Sequence, residues 1–329
     1  MKVVVAGCAG DLGSNICRRL LESNAEVIGI DNLSLGEFKN FKELRINKLT
    51  QNNKFKFIKL GIENPGLASA LSNESRIDFL IDAAAKDYYY KVGKILDYSS
   101  FLEVNVLGAA RLFEIAVKLK AKKFIGISSY SVYGKTKKLI LSEKGVKPKP
   151  ISPLGASRYA EEKVIEFLHH YYKMPSVVLR MFSIYGPGIG PSKAIYHFME
   201  RLYFKKPLET YVDMSQTRDF IYIDDAVDSV IASLNKRIQF QIINVASGKN
   251  HTLKEVAILI GKYLGVNESE IQFNRSDRSY SHLVAHKIHA DISRGIKILK
   301  CKPKFDIEQG IKNTVDWYLK TEQFKSQYY

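Results

Sequence analysis

The residues best placed to do chemistry sit near the start of this 329-residue chain. Gly7, Gly10 and Gly13 are spaced by three within Gly7-Cys8-Ala9-Gly10-Asp11-Leu12-Gly13, between a β-branched run and a stretch with helical spacing. Glycines so spaced let the backbone turn tightly and approach a pyrophosphate. The helix that follows offers free N–H groups and the positive end of its dipole. Asp31 ends the second apolar run, about 20 residues further on. A carboxylate there accepts hydrogen bonds from both hydroxyls of a ribose and repels a 2′-phosphate, so the pattern predicts a bound dinucleotide, NAD rather than NADP.

These residues need a scaffold, and the chain spells one out. Val3–Ala6, Val27–Ile30, Phe55–Leu60, Ile77–Ile81, Phe124–Ser128 and Val177–Leu179 read as short apolar strands. Asp11–Ser23, Phe101–Leu119 and Gly155–Tyr172 carry apolar residues at helical spacing. Short apolar strands alternating with helices predict an α/β fold, a Rossmann-type doubly wound parallel sheet covered on both faces. After Gly186 the rhythm breaks. Pro187, Gly188, Gly190 and Pro191 mark a loop, followed by strand signals at Phe220–Ile223 and Ile242–Val245 and helices at Lys254–Leu264 and Ile311–Leu319. We expect an NAD-binding domain over 1–180, with later segments returning to it, and a smaller substrate-binding domain mainly over 181–329.

Composition narrows the field. Hydrophobic residues make up 46% and charged residues 26%, the balance of a folded globular chain. No run of about 18 apolar residues predicts a membrane span. Gly7 and Asp11 interrupt the apolar segment that a secretion signal needs. Cys8, Cys17 and Cys301 cannot all pair, and no C-x-x-C occurs, so we expect a cytoplasmic protein without a metal site. Lys and Arg total 50 against 34 acids, a net charge of +16, yet the lysines are scattered and no nucleic-acid-binding motif accompanies them. The charge suits phosphorylated small molecules rather than nucleic acid.

Further motifs, in order, resemble the extended short-chain dehydrogenase/reductases, and within them the nucleotide-sugar epimerases and dehydratases. They are Asp31-Asn32-Leu33-Ser34-x-Gly36, Asp82-Ala83-Ala84-Ala85, Asn105-Val106-Leu107-Gly108, Ser128-Ser129-Tyr130-Ser131-Val132-Tyr133-Gly134, Arg180-Met181-Phe182-Ser183-Ile184-Tyr185-Gly186-Pro187, Arg218-Asp219-Phe220-Ile221-Tyr222-Ile223-Asp224-Asp225, Asn244-Val245-Ala246-Ser247-Gly248 and Ala290-Asp291-Ile292-Ser293. The resemblance runs along nearly the whole chain. It implies NAD contacts from Gly7, Gly10, Asp11, Leu12, Gly13, Asp31, Asn32, Ser34, Gly36, Ala83 and Ala84, and a homodimer built on the helices Phe101–Leu119 and Gly155–Tyr172. It also implies a nucleoside diphosphate sugar as substrate, a UDP-sugar first, with Arg218 and Ser183 on the diphosphate. An arginine fork suits that group. The alternative for Arg218 is a buried partner of Asp219 or Asp224.

The catalytic frame departs from the family. There a Tyr moves a proton of the sugar hydroxyl, and a Lys four residues on binds the nicotinamide ribose and lowers the Tyr pKa. Registered on Pro153, Gly155, Ser157 and Glu162-Lys163, those positions hold Leu154 and Arg158. Leu carries no proton. Arg still bonds ribose hydroxyls but does not replace Lys interchangeably. Three Tyr-x-x-x-Lys pairs do occur, Tyr90/Lys94, Tyr133/Lys137 and Tyr159/Lys163. About two are expected by chance, and Tyr159 lies about 140° round a helix from Leu154. The family's His is Asp82, its adenine-side acid falls at Gly61, and its Asn is Ser183. We therefore expect Ser129 to polarise the sugar hydroxyl, with Tyr130 or one of Asp87, Tyr88, Tyr89 and Tyr90, in the run Lys86-Asp87-Tyr88-Tyr89-Tyr90-Lys91, as proton carrier, Asp87 first in that run. Leu154 packs on the substrate side and Arg158 anchors the ribose. The competing reading is a relative that binds sugar nucleotide and NAD without turnover.

Overall fold

Seven strands lie parallel in one sheet, in the order Phe240–Val245, Ser176–Met181, Lys123–Ser129, Phe79–Asp82, Lys2–Ala6, Glu26–Ile30 and Phe55–Ile58. The computed structural model describes residues 1–34, 39–74, 76–87, 97–210, 214–234, 237–275 and 287–325. In chain order the first half runs β1 (Lys2–Ala6), α1 (Asp11–Glu22), β2 (Glu26–Ile30), α2 (Lys39–Leu49), β3 (Phe55–Ile58), α3 (Leu67–Ala70) and β4 (Phe79–Asp82). Then come α4 (Ser99–Leu102), a π-helical stretch (Glu103–Gly108), α5 (Ala109–Lys118), β5 (Lys123–Ser129), α6 (Pro153–Tyr172) and β6 (Ser176–Met181). The strands are buried on both faces, and their side chains alternate between two cores, as a covered parallel sheet requires. Val3, Val5, Val27 and Ile81 pack with Ile16 of α1, whereas Val4, Ile28, Leu80 and Phe124 pack with Leu112 and Phe113 of α5 and Ile165 of α6.

The second half adds β7 (Ser183–Tyr185), α7 (Ala194–Tyr203), β8 (Leu208–Thr210), β9 (Thr217–Tyr222), α8 (Ile223–Leu234), β10 (Phe240–Val245), β11 (Asn250–Thr252), α9 (Leu253–Leu264), β12 (Phe273–Arg275), α10 (Ser293–Leu299) and α11 (Ile307–Lys325). β10 returns to the large sheet beside β6. The rest build a three-stranded sheet, β11-β9-β7, and a pair, β12-β8.

The doubly wound α/β fold is as the strand and helix periodicity predicts, with local differences. The helix expected over Phe101–Leu119 contains the π turn, which buries Asn105 and Gly108 and leaves Leu107 exposed. Ile223 opens α8 rather than closing a strand, because Asp224 and Asp225 suit the first turn of a helix. Helix α2 is unforeseen. Phe41, Ile46 and Leu49 pack into the core while Leu44 is exposed, so the apolar residues keep no regular helical period. Among the described residues no helix is long and apolar enough to cross a membrane.

Candidate active site

The phosphate loop is built where β1 meets α1. Gly7 takes φ +74°, and its N–H donates to the Ile30 carbonyl at 2.8 Å. A Cβ on Gly7 would stand 2.6 Å from backbone atoms of Ala83 and Ala84, so glycine is what allows the two chain segments to meet. Gly10 is the N-cap of α1 and no side chain caps the helix, which leaves the first-turn N–H groups to an anion. These features fit a dinucleotide pyrophosphate. Leu12 is buried beneath the loop. Asp11 is already engaged: Arg45, from α2, donates to its carboxylate at 2.7 Å, to the Ala9 carbonyl at 2.8 Å and to the Gly188 carbonyl at 2.5 Å. An acid in the first turn beside a pyrophosphate would repel it, and the Arg45 guanidinium offsets that charge.

Asp31 is buried and accepts from the Ala9 N–H at 3.1 Å, the Leu33 N–H at 2.8 Å and the Lys42 ammonium at 3.0 Å. It thus locks the phosphate loop onto β2 while standing at its end. Asn32 and Ser34 are exposed, joined by a bond from the Ser34 N–H to the Asn32 Oδ1 at 2.9 Å. Gly36 lies outside the described residues. At Gly61, where the family's adenine-side acid is missing, a Cβ would overlap the Glu63 carboxylate. Glu63 brings its acid back into that space from two positions on, and Asn32 reaches it at 3.5 Å.

At the other end of the crevice, α6 packs against the turn that follows β5. Gly155 makes this possible, because a Cβ there would collide with the Ser131 carbonyl. Ser129 caps that turn, accepting from the Ser131 N–H at 3.2 Å. Tyr130 is half-buried, its ring stacked 5.4 Å from Phe182. Leu154 is half-buried in the first turn of α6. Asn105, in the π turn, donates to the Ser157 hydroxyl at 2.9 Å and the Lys86 carbonyl at 3.1 Å and accepts from the Lys86 N–H at 2.8 Å. This fixes the segment carrying Asp87 against α6. Asp87 lies 3.6 Å from the Lys193 ammonium. Tyr88, Tyr89, Tyr90 and Lys91 lie outside the described residues.

Arg158 is buried and held. Its guanidinium donates to Glu161 at 2.5 Å and to the Ala84 carbonyl at 2.9 Å, with the buried Asp82 carboxylate nearby. Among the described residues Glu161 Oε1 has no hydrogen-bond partner. Burial pushes the Glu161 carboxyl up to about 8 against the pull of Arg158, and pushes Asp82 up to about 6. The spacing of Arg158 and Glu161 puts them on one helix face; their burial could not be read from it. Tyr159 and Lys163 stack on each other at 5.8 Å, and Lys163 pairs with Glu166 at 2.7 Å. Tyr133 is buried on Asn244 at 2.7 Å.

A pH signature follows. The folded carboxyl of Glu161 is raised above its ordinary 4.5, so its contribution to stability is full below that value and is lost as pH climbs through about 8. Urea denaturation at about pH 5 and about pH 8.5 should show the native protein losing stability relative to Glu161→Gln as pH rises. An equal difference at both pH values would contradict this.

On the substrate side, Ser183 begins β7, half-buried. Arg218 is buried in β9 and donates to the Thr217 carbonyl at 2.8 Å and to Gln216 Oε1 at 2.9 Å. Among the described residues its hydrogen bonds go to neither Asp219 nor Asp224. Asp219 accepts from Ser247, Gly248 and Ala290, and Asp224 pairs with Arg18 and Arg19. Sequence reasoning missed Lys42, Arg45, Glu63, Glu161 and Lys193. Charge complementarity along α2 and α6 was the available signal for some of them. Among the described residues no cluster of side chains could hold a metal ion.

A glycine-cradled helix terminus, a carboxylate closing β2 and polar residues gathered beyond the ends of β4 and β5 define a Rossmann-type dinucleotide-binding protein. Residues 3–246 match the NAD dependent epimerase/dehydratase family, and the chain belongs to that family, whose cofactor is NAD. Over 317 residues it is 29% identical to a UDP-glucuronate 4-epimerase of Thermodesulfobacterium geofontis, covering 95% of each chain. It superposes on the UDP-glucuronic acid 4-epimerase of Bacillus cereus, solved with UDP-glucuronic acid and NAD, with a TM-score of 0.88 and 29% identity over 98% of this chain and 100% of that one. The UDP-glucose 4-epimerase of Thermotoga maritima, solved with UDP-glucose, matches with a TM-score of 0.86 and 26% identity over 98% and 100%.

Proposed function

We propose that this protein is an NAD-dependent enzyme that epimerises a UDP-sugar with an acid/base set displaced from α6. The observation that carries the reading is the intact dinucleotide loop with Asp31 in a chain similar, end to end, to UDP-sugar 4-epimerases. Gly7, Gly10, Gly13, Leu12, Asp31, Asn32, Ser34, Ala83 and Ala84 hold the cofactor, and Glu63 stands in for the acid missing at Gly61. When bound, NAD supplies a reversible hydride acceptor for one sugar carbon. Arg218 and Ser183 take the diphosphate. Ser129 donates to the sugar oxygen, and Tyr130 or Asp87 exchanges its proton. Leu154 packs against the sugar or nicotinamide.

Epimerisation is favoured over loss of water. Dehydratases of this family keep an acid where this chain has Tyr130, and a neutral phenol is a poor acid for expelling hydroxide. One observation favours binding without turnover: Leu154 carries no proton, and Arg158 is bound to Glu161 and the Ala84 carbonyl rather than open toward a ribose. A UDP-sugar panel incubated with the NAD-loaded protein and read by chromatography for the 4-epimer separates the two readings.

A further inference from the structure

Lys193 is the last residue before α7 and is delivered to the crevice by a fixed loop. Its N–H donates to the Gly190 carbonyl at 3.1 Å, and its backbone is extended. The start of the loop is tied down where Arg45 joins the Gly188 carbonyl to Asp11 of the phosphate loop. The Lys193 ammonium thus comes within 3.6 Å of the Asp87 carboxylate, with Asp11 and the Tyr130 phenol also in its field. Lys193 and Asp87 are 37% and 39% exposed, so a molecule entering the crevice can touch both. At the family's lysine position, by contrast, the Arg158 guanidinium is bonded to Glu161 and the Ala84 carbonyl within the protein and its side chain is only 5% exposed.

We propose that Lys193 is the cation of the reacting end. Asp87, on the segment that Asn105 fixes against α6, holds its ammonium in place. The assignment rests on the UDP-sugar reading given above. In that reading the sugar hydroxyl would pass its proton to Tyr130 or Asp87 and the hydride on the same carbon to the NAD held by the phosphate loop, leaving a ketone. Delivery of hydride and proton to the opposite face of that carbon gives the epimer and restores both groups. Lys193 stabilises the negative charge shared between the two oxygens while the proton moves, which is worth most at the transition state.

Two measurements on the full-length protein test this. With a UDP-sugar that the native protein converts, Lys193→Met should lower kcat about 100-fold while the dissociation constant for UDP stays within about threefold, and Lys193→Arg should recover kcat to within about tenfold of native. The second measurement needs no turnover. Oxidised NAD carries a positive nicotinamide ring and NADH does not, so a nearby cation favours NADH. Calorimetry should show the preference for NADH over NAD falling about fivefold in Lys193→Met and unchanged in Lys193→Arg. An unchanged preference in Lys193→Met overturns the assignment, as does a kcat within about threefold of native. If the native protein converts no UDP-sugar but the preference shifts as stated, the UDP-sugar reading fails and the placement of Lys193 stands.

Discussion

Replacing Glu162 by Ala should destabilise the protein by about 3–5 kcal/mol, a large share of what holds a domain folded. The carboxylate is fully buried and accepts from Arg180 Nε at 2.8 Å, from its terminal nitrogen at 2.7 Å and from the Ser128 hydroxyl at 2.6 Å. Arg180 also lies 4.7 Å over the Tyr133 ring, whose hydroxyl donates to Asn244. These bonds join β5, α6, β6 and β10 beneath the reacting end. Without Glu162 the guanidinium stays buried with no counter-charge, and that orphaned charge rather than the lost bonds sets the size of the effect. Glu162→Gln keeps an acceptor and should cost less. Equilibrium urea unfolding checks both variants. A loss under about 1 kcal/mol for Glu162→Ala would mean that water or another acid reaches Arg180.

Gly7→Ala should weaken NAD binding at least about 100-fold. A left-handed φ costs an alanine about 1–2 kcal/mol, and the added methyl would sit 2.6 Å from the backbone of Ala83 and Ala84. Neither neighbour is the tip of a flexible side chain, so the loop must move, and its N–H groups move with it. Because Asp31 is bonded to Ala9 in the same loop, the ribose contact is displaced along with the pyrophosphate contact. Calorimetric titration with NAD, alongside far-ultraviolet circular dichroism to establish folding, provides the measurement. A folded variant that binds NAD within about threefold of native would show that the loop is not the cofactor cradle.

The parts of this molecule governed by period and by glycine geometry were legible in the sequence. The six strands, α1, α6 and the phosphate loop follow from short apolar runs, helical spacing and the glycines spaced by three. Helix α2 was not legible, because Phe41, Leu44, Ile46 and Leu49 follow no regular helical period, and so Lys42 and Arg45, which it carries to Asp31 and Asp11, were missed with it. Lys193 sits after a Gly/Pro-rich loop that has no period, in a chain with many scattered lysines. Only the folded path of that loop sets it beside Asp87. Glu161 shows a third kind of blindness. Its spacing from Arg158 was plain, but an i,i+3 ion pair is usually a solvated surface feature, and burial at 1% is decided by the sheet beneath it. Arg218 posed the opposite problem, an open choice between ligand and structural partner. The structure answers part of it by giving Asp219 and Asp224 other partners.

We expect chemistry to survive without a tyrosine at position 154. The most direct test is to incubate the native protein with NAD and a panel holding UDP-glucuronate and UDP-glucose, and to follow the sugar by chromatography and the cofactor by absorbance. Formation of a 4-epimer with no net accumulation of reduced cofactor is the expected result. It is contradicted if the native protein binds NAD yet converts no member of the panel, while a variant combining Leu154→Tyr, Arg158→Lys and Glu161→Ala gains turnover.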